Sequence, residues 1–232
     1  MNTTKKQSTI QLEKMIGISI FSALAVTVAL MCTVIPKVQG FLSLDLKDAV
    51  IAIAAFIYGP IPGVAIAFIA SFIEFLTFGS ATSWYGLIMN FASSAVFTLT
   101  ASLIYKKIRT INGAIISFTA AIVATTGVML LLNTFVTPLY LASPMVGMPP
   151  EAATEMVRGL LAKVLLPFNF SKALLNAALA IMLYKPVLLA LSKAKIIKTK
   201  SASFDFNRNT IIVLIIGSIT LIASLVIYFV IK

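Results

Sequence analysis

The sequence predicts an all-α integral membrane protein with six or seven transmembrane helices. Of its 232 residues, 60% are hydrophobic and only 11% are charged, and the mean hydropathy is +1.06. A soluble domain has about 45–50% apolar and about 25% charged residues. Much of the apolar excess must therefore face lipid, and the length leaves little room for a second, soluble domain.

Apolar runs of membrane-spanning length follow one another along the chain. A hydrocarbon core about 30 Å thick needs roughly 20 apolar residues in a helix. The runs are 15–35, 48–58, 64–78, 84–105, 111–136, 168–191 and 210–231. The second and third are short and flank the helix-breaking sequence GPIPG. They can form one kinked helix, a re-entrant pair or two tilted short spans, because neighbouring protein can satisfy a helix break at membrane depth.

Prolines divide the region that follows residue 136. We expect Pro138 to end one helix and Pro167 to precede the next. Between them, EAATEMVRGLLAKVLL follows a Pro-Pro start and predicts a short amphipathic helix at the membrane surface. The predicted organisation is an N-terminal cytoplasmic segment (1–14), a six-helix core (15–193), a basic cytoplasmic linker (194–209) and an extra C-terminal transmembrane helix (210–231).

The lysines and arginines predict the orientation of the bundle. If the N-terminus is inside and every run crosses, most of the 18 basic residues fall on the inner side. The positive-inside rule therefore places the N-terminus in the cytoplasm. The net charge of +11 marks the cytoplasmic face rather than a nucleic-acid site. The segments 37–47 and 137–163 then face out.

Several kinds of chemistry are excluded by what the sequence lacks. Histidine is absent, which removes the usual general base of Ser-His and Cys-His catalysis and the usual zinc ligand. No GxxxxGK(S/T) phosphate-binding loop occurs, so any ATP-driven step needs another subunit. The single cysteine, Cys32, cannot form an internal disulfide. We expect neither an enzyme nor a metal or cofactor site.

Polar residues within the predicted spans are the candidates for function, because they are costly in a membrane. Asn169, Lys172 and Asn176 have helical spacing and share one face. Amides donate and accept hydrogen bonds while lysine only donates, which suits a neutral, planar ligand with carbonyls and ring nitrogens. The alternative for Lys172 is a side chain that snorkels to the interface. Asn90 and Asn133 can instead form simple interhelical hydrogen bonds.

Four segments together resemble one family of transport proteins. They are the small-residue pair Ala25-x-x-x-Ala29, the loop run LSLDLKDAVIAIAAFIYGPIPG, the run FGSATSWYGLIMNFASS and LPFNFSKALLNAAL from Leu166. The sequence is similar to the riboflavin-specific S component, the substrate-binding membrane subunit, of an energy-coupling-factor (ECF) vitamin transporter. The resemblance covers roughly 15–193.

The resemblance implies a six-helix bundle in a prokaryotic cell membrane, with an outward pocket covered by the loop between the first two helices. Riboflavin would be the transported substrate rather than a cofactor. Asn133, Asn169 and Lys172 would hydrogen-bond the polar edge of its isoalloxazine ring. Further candidates are the gating-loop residues and two helical ones: Leu42, Leu44, Asp45, Tyr85 and Asn90. Ala25 and Ala29 would pack on the coupling subunit, which works with two ABC-type ATPases.

Other functions stay open at this point. The ligand can be another vitamin or flavin mononucleotide (FMN), although Arg158 is the sole arginine available at the outer mouth for a phosphate. A membrane enzyme and an assembly subunit without ligand are alternatives of other classes. The missing histidine and missing acid pair count against the enzyme, and the polar stripe counts against the assembly subunit. The resemblance gives no role for 210–231.

Overall fold

The computed structural model describes residues 2–77, 83–194, 196–197 and 208–231. Within that part of the chain, every regular element is helical. The elements are α1 (Asn2–Cys32), α2 (Lys47–Tyr58), α3 (Pro60–Thr77), α4 (Ser83–Lys107), α5 (Ile111–Leu141), α6 (Pro150–Leu160), a π-helical turn (Leu161–Leu165), α7 (Leu166–Lys193) and α8 (Arg208–Ile231). The predicted all-α class is confirmed. The predicted linker (194–209) lies mostly outside the described residues.

Six stretches of the described chain are long and apolar enough to cross a membrane. They are Gln11–Cys32, Pro60–Thr77, Ser83–Lys107, Asn112–Leu141, Pro150–Lys193 and Leu214–Ile231. Helix α2, with 12 residues, is too short for this criterion, but eight of its residues are buried. It packs against α1, α3, α4 and α7, so it is the central helix of the bundle.

The GPIPG sequence forms a sharp junction between two helices and not a kink in one. Gly59 ends α2 with φ at +102°, a conformation that favours glycine. Gly63 lies in the first turns of α3, where an added Cβ would come within 2.5 Å of Ala55 Cβ. The absence of a side chain at Gly63 therefore allows α3 to pack closely against α2.

Three predicted helix boundaries are wrong. Helix α1 begins at Asn2 and not at residue 15, Pro138 lies inside α5, and α6 continues through the π turn into α7 despite Pro167. Proline costs a helix one backbone hydrogen bond, but in a membrane bundle neighbouring groups can satisfy the freed carbonyl. A π turn is one wide turn inside a continuous helix, and here it directly precedes the helix that carries Pro167.

Helix α6 has the predicted amphipathic character. Ala153 and Val157 are buried beneath the loop between α1 and α2, while Glu151, Glu155 and Arg158 are exposed. We call residues 33–46 the α1–α2 loop. Whether α6 lies at the membrane surface stays a prediction.

Two apolar clusters hold the helices together. One fills the centre of the bundle between α1, α2, α3, α4, α5 and α7, and includes Ile51, Phe97 and Phe118. The other lies under the α1–α2 loop and joins Val38 and Leu42 to Phe168 of α7 and Tyr228 of α8. We call the end of the bundle that carries this loop the loop end.

Candidate functional site

A cavity of about 300 Å³ lies at the loop end of the bundle. Its walls come from α1, the α1–α2 loop, α3, α4, α5 and α7. Small-molecule sites typically have volumes of roughly 300–1,000 Å³ with apolar walls and a few placed polar groups. The apolar part of the wall includes Phe41, Met129, Val136, Tyr140 and Phe168. The cavity therefore has the size and character of a site for a small organic ligand.

All of the residues that the resemblance assigns to the ligand lie on the wall of this one cavity. They are Leu42, Leu44 and Asp45 from the loop, Tyr85 and Asn90 from α4, Asn133 from α5, and Asn169 and Lys172 from α7. These residues are spread over more than half of the chain, and the fold brings them together. Their contact with a ligand stays a prediction.

The amides of Asn133 and Asn169 are buried and held in fixed orientations. Each Nδ2 donates to a carbonyl one turn earlier, to Met129 O and Leu165 O respectively, at 2.7 Å. Thr137 Oγ1 also donates to Asn133 Oδ1 at 2.9 Å. An amide nitrogen carries two hydrogens and an amide oxygen has two lone pairs. Both amides therefore keep hydrogen-bonding capacity on the cavity side.

Lys172 does not snorkel to an interface. Its Nζ donates to Asp45 Oδ2 at 2.7 Å, and both side chains are nearly fully buried. Asp45 Oδ2 also lies 3.9 Å from Lys47 Nζ. Burial raises the pKa of the Asp45 carboxyl, but the ammonium groups of Lys172 and Lys47 outweigh it and hold that pKa below its usual range. Asp45 is thus a carboxylate that ties the loop to α7.

A second ion pair continues this polar network to α3 and α4. Lys47, which is 1% exposed, donates to Glu74. The other oxygen of Glu74 accepts from Asn90 Nδ2 at 3.0 Å. Each of these two buried lysines therefore faces a carboxylate, so the buried charges at the cavity are compensated.

The family of the protein follows from comparison with known proteins. Residues 13–184, about three quarters of the chain, match the profile described as ECF transporter, substrate-specific component. The chain belongs to this family. The predicted S-component identity is confirmed, and the family is a component of a transporter and not an enzyme.

Individual relatives of this S component can be aligned over most of its length. The riboflavin transporter RibU of Staphylococcus aureus (strain TCH60) is 30% identical over 186 residues, which span 80% of this chain and 95% of RibU. The riboflavin transporter FmnP of Bacillus subtilis (strain 168) is 28% identical over 169 residues, 71% of this chain and 86% of FmnP. A solved structure described as the S component of a bacterial ECF transporter matches with a TM-score of 0.62 and 30% identity, over 78% of this chain and 98% of that one.

Sequence reasoning did not identify the pair of Lys47 and Glu74 beside the S-component cavity, although a carboxylate within a span signals that a partner exists. Asn176 does not line the cavity. It accepts from Ala49 N at 2.8 Å and donates to Asp45 O at 2.9 Å. It thereby satisfies an otherwise free N–H in the first turn of α2.

The small-residue pair predicted to dock on the coupling subunit is buried in this S component. Ala25 is 0% exposed and packs in the central cluster, while Ala29 is 3% exposed and lines the cavity. Their contact with the coupling subunit stays a prediction. Because α1 is apolar on every side, its sequence does not reveal which face points inward. Ala23 of the same helix is exposed.

Proposed function

We propose that this S component binds riboflavin in the loop-end cavity and delivers it for import. The main support is that one cavity is lined by Asn133, Asn169 and Lys172 together with Asp45 of the loop. The proteins RibU and FmnP, which are similar to this chain, are both named riboflavin transporters. Riboflavin would be a transported substrate and not a resident cofactor.

The charge balance of the cavity favours an uncharged ligand. Lys172 pairs with Asp45 and Lys47 pairs with Glu74, so a ligand meets hydrogen-bonding groups more than net charge. Asp45 Oδ1 is buried and has no hydrogen-bond partner within the described part of the chain. A buried acceptor of this kind is costly unless a donor reaches it. The imide N–H of the isoalloxazine ring or a ribityl hydroxyl would supply that donor.

The apolar wall suits a flat ring system. Phe41, Tyr140 and Phe168 lie around the cavity together with Met129 and Val136. Tyr85 and Tyr140 lie with their ring centroids 6.3 Å apart. Aromatic and aliphatic side chains would cover the faces of the isoalloxazine, while the amides would meet its edge. A planar heterocycle with polar edges requires both kinds of contact, apolar at its faces and hydrogen-bonding at its edges.

A phosphorylated flavin is the second candidate, and one residue favours it. Lys37 lines the cavity and is exposed, so it could meet a phosphate. Arg158, the other expected cation, does not line the cavity. A phosphate usually requires several donors or a bidentate arginine, so the unphosphorylated vitamin is the better match.

We also propose the orientation and the partners. The end opposite the cavity carries Lys106, Lys107, Arg109, Lys185 and Lys193, which the positive-inside rule assigns to the cytoplasm. The N-terminus would then be cytoplasmic in a prokaryotic cell membrane, and the cavity would open outward. The coupling subunit and two ABC-type ATPases would supply the energy.

The test is an equilibrium titration of the purified protein in detergent. Riboflavin fluorescence should be quenched in a saturable manner, and protein purified from flavin-rich medium should be yellow. Parallel titration with FMN should give weaker binding. A colourless protein that quenches no riboflavin fluorescence would overturn the proposal, and tighter binding of FMN would replace riboflavin by its phosphate.

A further inference from the structure

We propose that Tyr228 of α8 is a positioning residue that holds the α1–α2 loop over the substrate cavity. This proposal rests on the proposed binding function. It gives a role to the extra helix, which begins at Arg208, beyond the matched family region that ends at residue 184. RibU is covered to 95% of its length by 80% of this chain, so a substantial part of this chain has no counterpart in RibU.

Tyr228 connects α8 directly to the loop. Its hydroxyl donates to the carbonyl of Pro36 at 2.6 Å, and its side chain is 2% exposed. Pro36 lies between Ile35 and Lys37, and both of these line the cavity. The ring of Tyr228 also packs near Phe168, with centroids 6.4 Å apart. Phe168 lines the cavity beside Asn169, so one side chain of α8 contacts both the loop and the ligand-facing helix.

Helix α8 packs closely on α7, and this contact fixes the position of Tyr228. Ser171 Oγ donates to the carbonyl of Ser224 at 2.5 Å, in a fully buried position. Gly217 faces Met182, and an added Cβ there would come within 2.5 Å of Met182 Cγ. These positions and Tyr228 follow helical spacing on one face of α8. The opposite face carries exposed apolar side chains, as a lipid-facing surface does.

The other polar contacts between the loop and neighbouring helices lie mainly at its α2 end. Asp45, next to α2, pairs with Lys172. At the α1 side the loop has a reciprocal pair of backbone hydrogen bonds between Val38 and Leu42, both 3.0 Å. Those bonds close a small turn, which is held to the bundle by the apolar packing of Val38 and Leu42 near Phe168 and Tyr228. The Tyr228 hydroxyl adds a directional hydrogen bond to this apolar contact. Its loss should therefore loosen the α1 side of the loop and speed the escape of bound riboflavin.

The experiment compares two full-length variants with the same chemical change, Tyr228→Phe and Tyr58→Phe. The Tyr58 hydroxyl is also buried, but it has no hydrogen-bond partner within the described residues, and it lies at the far end of α2. Riboflavin should dissociate from Tyr228→Phe about five-fold faster, the scale of one lost hydrogen bond. Tyr58→Phe should match the wild type.

A second readout separates positioning of the loop from general stability. In the ligand-free protein, hydrogen exchange at the amides of Val38 and Leu42 should be faster in Tyr228→Phe than in Tyr58→Phe, while the melting temperatures of the two variants should agree. If Tyr228→Phe does not fold, Ser171→Ala should raise the same exchange rates by loosening α8.

Several outcomes would overturn the proposal. One is an unchanged dissociation rate in Tyr228→Phe, whatever happens to exchange. Another is an equal acceleration in Tyr58→Phe. Unchanged exchange at Val38 and Leu42 also contradicts it. If the wild type binds no riboflavin, the proposed function fails, whereas the exchange measurement still decides whether α8 holds the loop.

Discussion

The two ends of the bundle differ in the kind of side chain that fills them: one is polar and charged, and the other is aromatic. The loop end encloses the cavity and carries Asp45, Lys47, Glu74 and Lys172 in compensated pairs. At the other end, the ring of Phe56 in α2 stacks on Tyr105 of α4, with centroids 4.1 Å apart and planes 12° apart, and meets Tyr184 of α7 edge-on. We call this second set the aromatic end. The same central helix, α2, thus begins in a polar network and ends in a packed aromatic cluster.

This contrast indicates that the loop end serves ligand recognition and the aromatic end serves packing of the bundle. Buried charges need partners and contribute little net stability, but their polar groups can recognise a ligand. Close-packed rings contribute burial and leave no space for one. In this conformation the cavity lies at the loop end, while packed rings occupy the aromatic end. Substitutions at the two ends should have different effects on binding and stability.

The largest effect on binding is expected from Lys172→Met. The substitution removes a charged donor from the cavity and leaves Asp45 of the loop without its ion-pair partner; a hydrogen bond lost at a buried site costs about 1–3 kcal/mol, and more where a charged group is involved. The Kd for riboflavin should rise at least about 100-fold, measured by fluorescence quenching. Lys163→Met is the matched control, because Lys163 lies exposed on the same continuous helix. Similar Kd values for the two variants would remove Lys172 from the site.

The largest effect on stability is expected from Phe56→Ala at the aromatic end. Truncating a fully buried phenylalanine typically costs about 3–5 kcal/mol. Phe56 is partly buried and packs against the central cluster, so the melting temperature should fall clearly but by less than this full cost implies. The Kd of the protein that remains folded should be unchanged. Phe135→Ala is the control, since Phe135 is 69% exposed. A raised Kd in Phe56→Ala would show that the two ends are not separable.

A smaller effect on binding is expected from Asn169→Ala. Loss of one amide that bonds the ligand in a buried site costs about 1–3 kcal/mol, or about thirty-fold in Kd at the middle of that range. Asn112→Ala, at an exposed position near the start of α5, should leave Kd unchanged. The same titration checks both. An equal Kd for wild type and Asn169→Ala would mean that this amide serves only its own helix.

The position of the small-residue pair gives a further comparison within α1. Ala25→Leu should lower stability by about 1–3 kcal/mol, because added methylenes overpack a filled core. Ala23→Leu on the exposed side should be tolerated. Thermal unfolding of the two variants decides the matter. If Ala25→Leu is as stable as wild type and loses only assembly with the coupling subunit, the docking face would lie at Ala25 after all.

The smallest effect is expected from pH. The pKa of Asp45 is lowered in the fold, so the stability contributed by its ion pair is fully present above the ordinary carboxyl pKa. That contribution is lost only as pH falls through the lower, folded-state value. Riboflavin binding should therefore be constant between about pH 8 and about pH 5. A decline within this range would indicate that another group titrates at the site.

The sequence alone predicts the class of fold and much of the site, for different reasons. Hydropathy identifies the long spans directly, because the lipid requires them. The cavity residues were found through helical spacing on α7 and through the resemblance, which supplied Leu42, Asp45 and Asn133. Periodicity shows which side chains share a face of one helix, but not which helices meet. The pairs Lys47–Glu74 and Asn176–Ala49 join distant segments and could not be predicted in this way.

The wrong predictions also have physical causes. Pro138 and Pro167 were read by rules for helices in water, where a freed backbone carbonyl needs another partner. Helix α1 is apolar both on the face that meets lipid and on the face that packs in the bundle. Hydrophobicity therefore did not show that Ala25 and Ala29 face inward. The role of α8 was unpredictable because Tyr228 meets Pro36 only once the helix packs on α7.

The single cysteine offers the most direct test of where the ligand binds. Cys32 is buried and lines the cavity, and it is the only cysteine in the sequence. Its rate of modification by a small thiol reagent should fall as riboflavin is added, with half-protection at the Kd found by fluorescence quenching. If riboflavin binds but leaves the modification rate of Cys32 unchanged, the ligand lies outside the loop-end cavity, and the central claim is contradicted.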